Sequence, residues 1–269
     1  MGRPTLPAPL FVAFEGGEGS GKTTQARLLH SRLLQEGYSA YLFHEPGETP
    51  VGNRIRELLK AERAKSGGQG PISPMAELLL FCAARVEFVD RVLSPILRGE
   101  KPRSSGPSSP TNSPQGALPL ESGQGARSGA KAVVVCDRYV ASTVAYQGYG
   151  RGLPLDQVHL LNGWVTHGLK PGLTVLLDIS PEQGLGRVRA QKSLPWGTEA
   201  APTEGRQDVE GLRRFEEEPL AFHQRVREGY LALAREAPRG WLVVDATLPR
   251  EELAAAVWRR VAALLRRDR

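Results

Sequence analysis

The chain has few of the residues from which disulfide-stapled or metal-built scaffolds are made. Only two cysteines, Cys82 and Cys136, occur in 269 residues, far apart and each inside an apolar run. They offer no disulfide framework or zinc spacing, and both read as buried thiols. The five histidines, His30, His44, His159, His167 and His223, form no close ligand pair. No stretch reaches the roughly 18 consecutive apolar residues of a spanning helix. The apolar run near the N-terminus is too short for a secretory signal and belongs to the first strand. A cytoplasmic protein with no membrane partner is expected. Lys plus Arg number 35 against 29 Asp plus Glu, so the net charge of +6 is modest and is not gathered into one block. Solvation, an anionic small-molecule substrate or nucleic acid would each account for it. No nucleic-acid-binding motif accompanies the charge, so no nucleic acid is expected as a partner.

Five short apolar runs read as buried strands: residues 10–16, 39–45, 132–138, 173–179 and 240–246. Helical patterns lie between them at 22–36, 51–63, 74–98, 141–150, 154–168, 181–191, 214–236 and 250–267. This alternation predicts a parallel sheet covered on both faces, with ligands at the carboxyl edge of the strands. Residues 99–130 are dominated by Gly, Ser and Pro. Such a stretch buries too little apolar area to offset its ordering entropy, so it reads as a flexible surface insertion in a single domain spanning 1–269. The stretch "KSGGQGP" (65–71) resembles a transporter ATPase signature but lacks its opening leucine and runs into Pro71, so it reads as a turn.

Between the first strand and the first helix stands "EGGEGSGKTT". Gly16, Gly17, Glu18, Gly19, Ser20, Gly21, Lys22, Thr23 and Thr24 form the expected ATP cradle. Glycines let backbone N–H groups turn toward phosphate oxygens, and the helix N-terminus adds its dipole. Lys22 is expected on the β- and γ-phosphates and Thr23 on Mg²⁺, with Glu15, Glu18 or Asp137 as further metal partners through water. The absence of an N-K-x-D motif argues against a GTPase. An acid at the centre of a phosphate loop, Glu18, is unusual and needs a partner other than phosphate.

A second anion site is expected after the third strand, where "CDRYVASTVAYQGYGRG" carries Arg138 to the ligand edge. The bland alternative is a structural Arg–carboxylate pair. A helix starting near Tyr139 would put Ser142 and Tyr146 on one face, with Thr143 beside it. Phe81 and Arg85, four apart on a helix, suit a stacked and hydrogen-bonded base. The alternative there is a core Phe and a surface Arg.

The blocks "FEGGEGSGKTTQ", "EPGETPVGNRIRELL", "LLFCAARVEFVDRV", "DRYVASTVAYQGYGRG", "FHQRVREGYLALA" and "VVDAT" occur in the order found in bacterial thymidylate kinases, and the chain resembles that family over nearly its whole length, except 99–130 and parts of 192–212. The resemblance implies an α/β, three-layer P-loop NTPase fold with a five-stranded parallel sheet flanked by helices and a mobile lid. It implies transfer of the γ-phosphoryl of ATP to dTMP, giving dTDP and ADP for dTTP synthesis, with Mg²⁺ and as a homodimer. Helices 74–92 and 154–168 offer candidate apolar faces for the dimer. Position by position it implies that Arg138 and Arg56 hold the acceptor phosphate and that Phe81 stacks on thymine. Arg85 would donate to the base, Thr143 touch its edge, Gln147 lie near it, and Tyr146 lie beneath the sugar C2′. Glu18 is implied at the sugar 3′-hydroxyl, and Glu45–Pro46 in a turn where the proline is often cis.

The phosphate loop lacks an Arg of its own, so the resemblance is to members that supply arginine from a lid, here about 186–216. Arg214 and Arg213 are the expected catalytic pair beside Lys22 and Arg138, with Lys192 or Arg206 as alternative assistants. Arg187 and Asp245, before the "ATLP" loop, are expected on the ATP side. Gln191 and Arg213 depart from the usual lid pattern, and His44 stands where Arg is common. Rival readings are another deoxynucleotide or deoxynucleoside kinase on the same scaffold, or a nucleic-acid-stimulated ATPase.

Overall fold

The computed structural model describes residues 9–61, 72–102, 132–193 and 213–267. Most of the 99–130 insertion, the 65–71 turn and the lid segment 194–212 with Arg206 lie outside the described residues, as do the side chains of Lys192, Arg213 and Arg214.

Chain order runs β1 (Leu10–Glu15), α1 (Lys22–Gln35), β2 (Ala40–His44), α2 (Pro50–Ala61) and α3 (Pro74–Phe88). A π-helical turn, Val89–Leu93, joins α3 to α4 (Ser94–Leu97). Then come β3 (Val133–Asp137), α5 (Val140–Thr143) with a π-helical continuation Val144–Gly150, α6 (Leu155–Val165), β4 (Leu173–Asp178) and α7 (Pro181–Ser193). The chain closes with α8 (Arg213–Glu216), α9 (Leu220–Glu236), β5 (Trp241–Asp245) and α10 (Arg250–Arg267). The five strands form one sheet in the order β2-β3-β1-β4-β5, every pairing parallel.

Alternation along each strand sends side chains to opposite faces. Val12, Phe14, Val133, Val135, Val175 and Leu177 pack on one face against Leu29 and Leu33 of α1 and Val257 and Val261 of α10. Phe11, Ala13, Val134 and Cys136 point the other way, onto Phe88, Val92 and Ile96. Both faces are covered, which is why β1, β3 and β4 read as unbroken apolar runs. Cys82 and Cys136 are free, buried thiols. Among the described residues no helix is long and apolar enough to cross a membrane.

Strand limits match the apolar runs to within a residue, but three helical patterns differ from expectation. The pattern at 74–98 hides the π turn at Val89–Leu93, and the one at 141–150 is α-helical only to Thr143. The 214–236 pattern is two helices, because Pro219 stands before the second. π turns gather at functional sites, and here the longer one carries Tyr146 and Gln147.

Candidate active site

The register pairs Phe14 of β1 with Asp137 of β3, so the phosphate loop and the Asp137–Arg138 corner leave the sheet side by side. The loop is built for close backbone approach. Gly16 has φ 145°, and a Cβ there would meet the Leu177 carbonyl oxygen at 2.5 Å. Gly19 has φ 67°, and a Cβ would fall 2.1 Å from the Gly184 carbonyl oxygen of α7. Only glycine fits either position. Lys22 Nζ donates to the Gly17 carbonyl at 2.7 Å and to Ser20 Oγ at 3.3 Å. Burial, reinforced by the positive charge of Arg138, pushes the Lys22 ammonium down to about 8.

Thr23 Oγ1 donates to Asp137 Oδ2 at 2.5 Å, and His44 Nδ1 lies 3.2 Å from the same oxygen. Burial opposes ionisation of Asp137, but His44, Lys22 and the Thr23 hydroxyl outweigh it and hold the carboxyl well below its ordinary range. Among the described residues, Asp137 Oδ1 is buried without a hydrogen-bond partner. An ionised carboxylate with a spare oxygen beside a threonine hydroxyl is a hard oxygen donor set, which fits Mg²⁺ held with water and phosphate. Among the described residues no three His, Cys, Asp or Glu side chains form a metal cage.

Glu15 is engaged elsewhere. Its Oε1 accepts from the backbone N–H of Tyr139 at 2.9 Å and of Ser142 at 3.2 Å. Its Oε2 accepts from Ser142 Oγ at 2.6 Å and Tyr230 Oη at 3.1 Å. The carboxylate thereby anchors the start of α5. Burial drives its pKa upward, against these hydrogen bonds. The anchoring matters because Arg138, just before, has φ 73°. A non-glycine residue in this region costs about 1–3 kcal/mol and persists only where its surroundings over-determine it. Glu15 on one side, and the Arg138 N–H donating to the Phe14 carbonyl at 2.9 Å on the other, supply that constraint.

Arg138 Nη2 donates to Glu18 Oε1 at 3.1 Å, and Tyr146 Oη donates to the same oxygen at 2.6 Å. The guanidinium carbon also stands 5.1 Å from the Tyr146 ring centre. Burial would raise the Glu18 pKa, but Arg138, Lys22 and the Tyr146 hydroxyl together hold it below its ordinary value. The two partners of the loop acid, Arg138 and Tyr146, belong to a cleft of about 330 Å³ lined by Glu45, Pro46, Phe81, Arg85, Arg138, Ser142, Thr143, Tyr146, Gln147 and Phe215. The first nine are residues singled out from sequence for the acceptor; Phe215 was not.

Arg85 is no surface charge: its side chain is 3% exposed. Nε donates to Glu45 Oε2 at 2.7 Å, Nη1 to Thr143 Oγ1 at 2.7 Å and Asn162 Oδ1 at 3.1 Å, and Nη2 to the Tyr139 carbonyl at 3.3 Å. These use four of the five N–H groups of a guanidinium, leaving one without a partner among the described residues. Gln147 donates to Glu77 Oε1 at 2.7 Å, and Arg151 bridges Glu77 to Glu218. Glu45 precedes a cis proline, Pro46. Arg56 does not line the cleft; it is half-buried against Gly47 and has no hydrogen-bond or ion-pair partner among the described residues. On the other side of the loop, Arg187 Nη1 donates to the Ala246 carbonyl at 2.8 Å, and Asp245 accepts from the Thr247 backbone N–H and hydroxyl. Ser20 is buried, while Thr24 is exposed. Arg213 and Arg214 occupy the first turn of α8.

Sequence reasoning missed Asn162, Glu77, Tyr230 and Phe215. Only Phe215 carried a local signal, as the lone apolar residue in "RRFEEEP".

A family model described as thymidylate kinase matches residues 14–101 and 126–257. A thymidylate kinase of Thermomicrobium roseum is 41% identical over 260 residues, covering 96% of this chain and 97% of that protein. Those of Cutibacterium acnes and Deinococcus radiodurans are 40% and 38% identical, covering 96% and 94% of this chain and 98% and 96% of their own lengths. A solved thymidylate kinase structure from Ehrlichia chaffeensis superposes with a TM-score of 0.59, covering 95% of this chain and 99% of that one at 24% identity, which is a likeness of fold.

The depressed Lys22 generates a prediction. Its pKa of about 8 lies below the ordinary 10.5 of a lysine, so near pH 8 the free site carries a partly deprotonated ammonium. A triphosphate beside it favours the charged form, so ATP binding at that pH should take up roughly half a proton. Calorimetry in buffers of different ionisation enthalpy measures this. Lys22→Met should abolish the uptake, and equal uptake by both proteins would refute the assignment.

Proposed function

We infer the division of labour in this site from one premise: the chain belongs to the thymidylate kinase family and is an ATP-dependent kinase that phosphorylates dTMP to dTDP. The observation that carries the reading is Arg138. It is held in a strained conformation at the end of β3, next to the phosphate loop, on the wall of the cleft that Phe81 and Arg85 also line. An acceptor phosphate on Arg138 would lie across the crevice from the donor phosphates in the loop. Holding two reactants in this way supplies much of the acceleration in phosphoryl transfer.

The loop amides and Lys22 hold the donor phosphates, with Arg187 and Asp245 beside the adenine side. Thr23 and Asp137 would hold Mg²⁺, which when bound neutralises charge on the phosphate oxygens. Arg138, assisted by Arg56, takes the acceptor phosphate. That phosphate displaces the carboxylate of Glu18 from the guanidinium and frees it to accept from the sugar 3′-hydroxyl. Phe81 stacks on the base, the remaining N–H of Arg85 donates to a base carbonyl, and Thr143 and Gln147 border it. Glu45 and Asn162 keep Arg85 in place. Tyr146 fills the space beneath the sugar. Arg214 and Arg213 come from the lid side to the transferring group.

The homodimer is assigned to the α3–α6 face, where Leu160 and Trp164 are 56% and 68% exposed and Leu79 is 49% exposed. Trp164→Glu should convert a dimer to a monomer in sedimentation; a wild type that sediments as a monomer would exclude this contact.

ADP release should depend on dTMP, with dCMP, dAMP and water giving only background. Equal turnover with those acceptors would overturn the reading. Thymidine replacing dTMP as acceptor would favour a nucleoside kinase, and DNA-stimulated hydrolysis an ATPase.

A further inference from the structure

Phe215 interrupts a run of charged residues, Arg213 to Glu218, yet its side chain is only 3% exposed. It lies at the start of the chain's return from the lid, and it reaches the acceptor cleft, which it lines opposite residues of α3 and the π turn. Its ring centre is 6.4 Å from that of Phe81, with the planes 28° apart. Its edge contact with Tyr146, at 4.9 Å and 67°, ties it to the residue assigned beneath the sugar.

Something fixes this ring in place. The guanidinium of Arg151 lies 5.5 Å from the Phe215 ring centre and 4.9 Å from that of Phe222. Arg151 is itself held by Glu77 and by Glu218 at 2.8 Å, and the Glu218 N–H donates to the Phe215 carbonyl at 3.0 Å. Phe222 stacks near-parallel to Phe215, 6.1 Å away and 11° apart. The ring is therefore backed by packing and by a charge that favours an aromatic face.

We propose that Phe215 is the second wall of the base site, so that the pyrimidine of dTMP inserts between Phe81 and Phe215. What carries the proposal is that both rings line the same cleft and are near-parallel, with planes 28° apart. Their 6.4 Å centre-to-centre separation is that of a packed aromatic pair, so the rings must part to admit a flat ring with a van der Waals contact of about 3.5 Å on each side. The same pair explains why an apolar residue stands alone among charges on this segment. It also links occupancy of the base site to the segment that carries Arg213 and Arg214, since all three lie on α8. The inference rests on the reading of this cleft as the dTMP site.

The test compares dTMP with 5,6-dihydrothymidine 5′-monophosphate, whose saturated ring is neither flat nor aromatic. Calorimetry without ATP gives the two affinities. In the wild type dTMP should bind much more tightly than the dihydro analogue. F215A should weaken dTMP roughly tenfold or more, the effect of losing one stacking partner, and should narrow the preference for dTMP. F215Y should restore both. F215L serves the same comparison if F215A does not fold, as judged by thermal melting. A variant that weakens both ligands in parallel, with the preference intact, would show a merely structural role and overturn the inference. If the wild type binds no dTMP, the dTMP reading of the cleft fails, and the inference with it. If the wild type binds dTMP and the Phe215 variants do so equally well, only the inference fails.

Discussion

Phe14 of β1 lies opposite Asp137 of β3, and its carbonyl accepts from the N–H of Arg138 at 2.9 Å. That single register brings two chain segments more than a hundred residues apart to the same point on the sheet edge. On one side the strand opens into the phosphate loop; on the other it turns into the Asp137–Arg138 corner. Thr23 can then meet Asp137, and Glu18 can meet Arg138. A slip of one residue would send Asp137 to the opposite face and separate both pairs.

The corner is strained, and the strain has a use. Arg138 at φ 73° points along the crevice rather than back into the sheet. Glu15 holds the turn by accepting from Tyr139 and Ser142, a role that costs a buried carboxylate. In return the guanidinium is presented to the cleft with Glu18 and the Tyr146 hydroxyl already gathered round it. A free arginine in a low-dielectric cleft would be costly, and Glu18 offsets that cost. On the proposed reading, the two accounts of Arg138, a structural ion pair and a phosphate ligand, describe one residue without and with acceptor.

Much of this was legible in the sequence because it is local. Each strand is a short apolar run, the phosphate loop is defined by spacing, and the cis proline and the residues of the cleft fall in contiguous blocks. The departures arise where contacts are distant. Glu15 reaches Tyr230 across 215 positions, and Arg85 meets Asn162 across 77. No periodicity announces such pairs, so neither the anchoring contacts of Glu15 nor the place of Asn162 beside Arg85 was legible in the sequence. The π turn at Val144–Gly150 was hidden for a related reason, since its apolar pattern differs little from that of an α-helix. Phe215 shows the converse: an apolar residue out of character with its neighbours was a signal, but only the fold revealed what it faces.

The central claim is that Arg138 recognises the acceptor's phosphate and that Glu18 stands in for it. The most direct measurement is the affinity of wild type and Arg138→Gln for dTMP and for thymidine, by calorimetry without ATP. The account predicts at least a tenfold loss for dTMP, about the effect of removing a charged hydrogen bond, with thymidine binding nearly unchanged. Parallel losses for both ligands, or no loss for dTMP, would contradict it.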